Sequence, residues 1–183
     1  MAADYLVSGL QPLAIDGAAP CSKATFLALC REQLGERHAR AIESAMDGAA
    51  SAPECDTSLA AAWRDLDAQL RNAVAAERAR TRGADPSRWR RPVNGCSLYW
   101  AGRVQAAFQE KDPSRRDHML DQVRWDAAGD LTPAASPLSA AAAFTYAIRL
   151  AISIRRSALV TDAGNEVFNR LTAASAPESV LKG

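Results

Sequence analysis

The chain has 183 residues, of which 48% are apolar, 23% charged and 6% aromatic. Twenty-two basic residues stand against twenty-one acidic ones, a formal charge of +1, which excludes a polybasic or acidic tail and a wholly disordered chain. About forty alanines against about twenty Val, Ile and Thr together favour helix over sheet.

In chain order, Tyr5-Leu6-Val7-Ser8-Gly9-Leu10 carries extended character and predicts a short arm over residues 4–13. Ser22 is placed to cap a helix ending at Leu34, where Gly35 supplies the stop. A second short helix over 36–46 makes a helical hairpin, and 48–53 is a loop ending at Pro53. Leu59, Ala62, Trp63, Leu66, Leu70, Ala73 and Val74 recur every three or four residues, which predicts a long helix from about 56 to Gly83. Its outer face is expected to carry Arg64, Asp65, Asp67, Arg71, Glu77 and Arg78.

Further helices are expected over 96–110 and from Asp112-Pro113-Ser114 onward, the latter with Met119, Leu120, Val123, Ala127 and Leu131 facing inward. After a break at 133–137, residues 138–158 predict the most buried helix and 162–174 a last amphipathic one, with a frayed tail over 175–183. The expectation is an all-α protein: an antiparallel bundle of six or seven helices preceded by the arm, forming one domain over 1–174. The apolar run 138–154 contains Arg149 and stops at Arg155-Arg156; a spanning helix needs about twenty apolar residues, so a buried core helix is the reading.

Cys21, Cys30, Cys55 and Cys96 match no CxxC pair, haem box or zinc ribbon, and residues 1–9 lack a secretory n-region and h-region. Free thiols in a reducing, cytoplasmic compartment are expected. Phosphate loops, GxSxG, HExxH and the deaminase signature are absent from the sequence. Only two histidines occur; His38 sits in a charged stretch, and His118 neighbours Asp117 with Asp121 one turn on. An acid–base role for Asp117, His118 and Asp121 stands against the plainer reading of a solvated helix face. No cofactor, metal site or small-molecule substrate is expected.

Residues 78–103 hold Arg78, Arg80, Arg82, Arg88, Arg90, Arg91 and Arg103 among Trp89, Tyr99 and Trp100. Arginine beside aromatic rings grips phosphate and stacks bases, so a nucleic-acid-binding helical domain is one reading. The near-neutral whole chain favours the other, a protein contact patch centred on Arg88, Trp89, Arg90, Arg91 and Trp100. Arg149, on the most apolar helix, needs a partner; Asp121 and Asp126 of the preceding helix are the candidates for an internal ion pair.

The opening Tyr5-Leu6-Val7-Ser8-Gly9-Leu10-Gln11-Pro12-Leu13, the helix Phe26-Leu27-Ala28-Leu29-Cys30, then Asp112-Pro113, Leu120-Asp121, Arg124-Trp125, Tyr146-Ala147-Ile148-Arg149-Leu150, Gly164 and Phe168 form an ordered set of short motifs over about residues 4–171. In this order the chain resembles a bacterial family encoded among the subunits of V/A-type ATPases, and loosely the C (or d) connector subunit of rotary ATPases, which is about twice as long. It departs at Leu10-Gln11-Pro12, where that family more often has Leu-Pro directly. The resemblance implies a non-catalytic accessory or connector whose partners are V/A-type ATPase subunits, peripheral to the inner membrane only through that complex.

Overall fold

The computed structural model describes residues 2–48, 58–132 and 136–159, with Gly164 and Arg170. Seven α-helices and one 3-10 turn make up the described chain, with no strand among the described residues: α1 (Ala2–Ser8), α2 (Lys23–Leu34), α3 (Glu36–Met46), α4 (Ser58–Arg82), the 3-10 turn Pro86–Trp89, α5 (Leu98–Ala107), α6 (Pro113–Gly129) and α7 (Ala140–Ser157). The all-α helical bundle expected from composition is the fold observed. Gly164 and Arg170 are helical; the rest of the expected helix 162–174, the tail 175–183 and most of the loop 48–53 lie outside the described residues.

Local chemistry explains the ends. Ser22 accepts a hydrogen bond from the Thr25 amide at 3.1 Å, Ser97 one from Trp100 at 3.4 Å, and Asp112 one from Ser114 at 2.8 Å with Pro113 in the first turn. The α5 cap at Ser97 starts that helix two residues later than periodicity alone suggests. At the far end of α4, Gly83 takes φ +63° and the Ala84 amide reaches back to the Ala79 carbonyl at 2.9 Å, a left-handed glycine stop.

The arm departs from expectation. Ala2–Ser8 is helical, and the chain runs without regular structure from residue 9 to residue 22. A lone strand has no neighbour for its amides, whereas a short helix satisfies its own; Leu6, buried at its centre, docks it on the core while Tyr5 stays in water.

Two buried clusters divide the interior. The larger gathers Leu6, Phe26, Cys30, Ile42, Trp63, Phe144 and Leu150; the smaller gathers Leu70, Trp100, Val104, Val123 and Ala127, and Leu66 of α4 packs against both. α6 and α7 run antiparallel, so Thr145 donates to the Ala128 carbonyl at 2.8 Å and Arg149 to the Trp125 carbonyl at 3.1 Å. Two expectations about facing change here. Met119 lies exposed rather than inward, and Asp67 lies buried at 4% exposure rather than on the outer face.

Asp67 is buried because two arginines need it. Arg71 of the same helix reaches it at 2.6 Å and Arg124 of α6 at 2.8 Å. Removing one member of a buried pair strands the other charges, whereas replacing the group together is far milder. Asp67→Ala is expected to cost about 2–3 kcal/mol of stability, discounted because both arginines are one-third exposed. Asp67→Leu combined with Arg124→Met should recover most of that loss in urea unfolding; a double variant no more stable than the single one would contradict this account.

Candidate functional site

The arginine–tryptophan segment is organised by one edge of α4. Asp65, Gln69 and Asn72 follow at spacings of four and three, so they stack on one helical face. Asp65 accepts from the Asn94 side chain at 3.2 Å, and Gln69 accepts from the Ser97 amide at 2.8 Å. Asn72 donates to the Arg91 carbonyl at 2.9 Å and accepts from the Arg91 amide at 2.8 Å, a reciprocal pair that mimics one rung of a sheet. Asp85 receives the Ser87 amide at 2.9 Å, and these Ser87 bonds hold its carboxyl below the ordinary range. The loop is therefore built onto the bundle.

Its expected contact residues separate. Trp89 is 52% exposed with Arg88 stacked 5.8 Å from its ring centroid. Arg90 and Arg91 are exposed beside it. Trp100 does not belong with them: it is 6% exposed, inside the smaller cluster. The Ser97 cap sets the phase of α5 so that Trp100 turns inward and Tyr99 outward, where the Tyr99 hydroxyl accepts from Arg103 at 3.2 Å. That bond, with the ion pair to Asp126 at 2.9 Å, holds the Arg103 guanidinium above its ordinary pKa.

The expected ion pair at Arg149 is also corrected. Its Nε donates to the Trp125 carbonyl and its guanidinium lies 5.2 Å from the Trp125 ring centroid. Burial pushes this group below its ordinary pKa, and the nearby charge of Asp126 opposes that push. The cradle is close-fitting: a Cβ on Gly129 would come within 2.8 Å of the Arg149 guanidinium. Asp126 itself is taken by Arg103 and by Gln122 at 2.8 Å. Asp121 is buried and held by Arg155 and, at 3.3 Å, by Arg156. The antiparallel register explains it, since residue 125 stands opposite 149 and residue 121 opposite 155.

The residues weighed for acid–base chemistry enter the same network. Asp117 pairs with Arg155 at 3.4 Å, and Asp16, paired with Arg156 at 2.8 Å, lies 3.4 Å from His118. Burial alone would lower the Arg155 pKa, but Asp121 and Asp117 outweigh it and raise it. His118 thus faces the loop carboxylate of Asp16 rather than the Asp117–Asp121 pair. Among the described residues, no group of three or more His, Cys, Asp and Glu is arranged to hold a metal ion, and no helix is long and apolar enough to cross a membrane.

A groove of about 810 Å³ runs beside the loop. Its apolar floor includes Leu70, Val74, Leu120 and Ile152, from α4, α6 and α7, and its walls carry Arg71, Arg78, Arg82, Arg91, Arg124 and Arg155 with Trp89 at the edge. Arg78 and Arg82 were visible in the sequence as part of the basic run. Asp65 is expected only as an outer-face residue, and Gln69 and Asn72 carry no sequence expectation; the four–three spacing of these loop-holding residues on the polar side of α4 is the signal that could have found them.

Two outcomes are expected from this geometry. Asn72→Ala removes both bonds to Arg91 and should speed hydrogen exchange of the Arg91 amide at least tenfold, about 1.4 kcal/mol of local opening, while core amides of α7 are unchanged; equal exchange in both forms would mean the clamp does not hold the loop. Burial pushes the Cys30 thiol up to about 12, whereas Cys96 is exposed. Iodoacetamide at pH 8 should therefore alkylate Cys96 and leave Cys30 unmodified in peptide maps of the native protein; Cys30 labelling as fast as Cys96 would contradict its burial.

Comparison of this chain with family models, with curated proteins and with solved structures finds no match.

Proposed function

We propose that the protein is a non-catalytic binding subunit that acts through protein–protein contact, and that the assembly it serves is the V/A-type ATPase to which its motif order points. The observation that carries the binding role is Trp89: a large ring, half in water, on a loop clamped by the reciprocal Asn72–Arg91 hydrogen bonds. Tryptophan and arginine are the residue types that dominate interface energetics, and a loop already ordered loses little freedom when a partner arrives. The ATPase setting is supported by the resemblance of the sequence motifs.

Nucleic-acid binding is the weaker reading. Trp100 is taken by the core, which leaves Trp89 and Tyr99 as separate exposed rings where a strand-tracking surface wants successive stacking faces. An acid–base enzyme built on Asp117, His118 and Asp121 has less support still, because Asp117 and Asp121 are neutralised by Arg155 and Arg156 and His118 faces Asp16.

The test is a tagged pull-down from gently solubilised host membranes at low and at moderate salt. Rotary ATPase subunits are expected at both. Arg88→Ala with Trp89→Ala should reduce their recovery at least tenfold, about 1.4 kcal/mol, and leave the thermal midpoint nearly unchanged, since both residues lie on the surface. Trp100→Ala should instead lower stability by about 3–5 kcal/mol, as core tryptophan truncation does. Recovery of RNA or ribosomes at low salt only would transfer the role of the segment to nucleic acid; recovery of unrelated proteins alone would remove the ATPase setting.

A further inference from the structure

The groove between α4, α6 and α7 is amphipathic and unevenly charged. Six arginines and three aspartates line it. The aspartates are accounted for: Asp67 lies between Arg71 and Arg124, and Asp117 and Asp121 face Arg155. Arg78, Arg82 and Arg91 take no ion pair among the described residues. Arg78 and Arg82 stand one turn apart on α4, and Arg91 is presented by the clamped loop. The lining of α4 extends from Asp67 to Arg82, which at 1.5 Å per residue is about 22 Å, or four helical turns. A long apolar floor walled by unneutralised arginines is the complement of one kind of segment.

We propose that this groove receives an acidic amphipathic helix of the partner protein, with apolar residues at helical spacing on Leu70, Val74, Leu120 and Ile152, and with carboxylates on Arg78, Arg82 and Arg91. The proposal rests on the protein-binding reading above and specifies the partner's chemistry. Charge complementarity selects this occupant over the chain's own sequence. Residues 160–183 carry Asp162, Glu166 and Glu178 against Arg170 and Lys182, and residues 49–57 carry Glu54 and Asp56 with no basic residue, so each falls short of the three negative charges that Arg78, Arg82 and Arg91, unpaired among the described residues, call for.

The experiment uses the full chain in its host, with Ala75→p-benzoylphenylalanine as a photo-crosslinking probe in the groove. Crosslinked peptides are mapped by mass spectrometry. The groove probe is expected to capture a segment of another protein that is net acidic and patterned as an amphipathic helix. Arg78→Glu with Arg82→Glu should cut that yield at least tenfold, and Arg78→Lys with Arg82→Lys should retain most of it, with unchanged helical circular dichroism in both. Capture of residues 160–183, of a second copy, or of a neutral or basic segment at Ala75 overturns the proposal. So does a silent groove probe; partner recovery that still falls with Arg88→Ala and Trp89→Ala then keeps the protein-binding reading without the groove, and recovery that does not fall overturns both.

Discussion

The architecture depends on buried carboxylates paired with arginines of neighbouring helices. Asp67 ties α4 to α6 through Arg124, and Asp121 ties α6 to α7 through Arg155 and Arg156. A carboxylate in such a place costs several kcal/mol of desolvation that only close, multiple partners offset. α6 is the common member, donating Arg124 to one neighbour and Asp121 to the other. Hydrophobic contacts are non-directional, and in an alanine-rich bundle they discriminate weakly between neighbouring registers. Charge pairs at fixed positions do discriminate, so the two aspartates set which turn of one helix meets which turn of the next.

Once those pairs are made, the remaining charge is unevenly distributed. The near-zero formal charge of the whole chain conceals this, because the groove's aspartates are paired while Arg78, Arg82 and Arg91 take no ion pair among the described residues. The loop from Asp85 to Ser97 is part of the same arrangement. Gln69 and Asn72 supply partners its backbone would otherwise take from water, and Asp65 holds the Asn94 side chain. The arginine-rich, proline-containing stretch is thus held against α4, with Arg91 and Trp89 lining the groove.

Much of this architecture was legible in the residues. The stripe from Leu59 to Val74, the caps at Ser22 and Asp112 and the glycine stops at Gly35 and Gly83 place α2, α4 and α6 closely, because helix ends are decided by local chemistry. Facing was harder. Asp67 sits among polar neighbours, and nothing within one helix says that Arg124, far along the chain, will turn it inward. The arm failed for a related reason: alternation in six residues resembles a strand, and only the docking of Leu6 decides for helix. Composition groups Trp100 with the loop arginines, whereas the cap at Ser97 fixes its phase inward. The partner of Arg149 was recoverable in principle. A hairpin centred near the Pro133–Pro137 break puts residue 125 opposite residue 149, and therefore a carbonyl and an indole ring rather than Asp121.

Trp89 and Trp100 show how this division of labour works. They are eleven residues apart in one segment, with arginines on either side, and composition cannot distinguish them. Trp100 follows a capping serine and enters a helix whose inner face, with Val104, meets Leu70 and Val123. Trp89 ends a 3-10 turn capped by Asp85, in a loop whose backbone is bonded by α4 side chains at Arg91 and Ser97. A backbone anchored by side chains of the helix beneath needs no burial of its own aromatic ring to stay ordered. The ring is then free for contact, and its presentation depends on Asn72 and Gln69, which bond the loop backbone. Affinity at such a site is governed by the underside of the loop as much as by its exposed face.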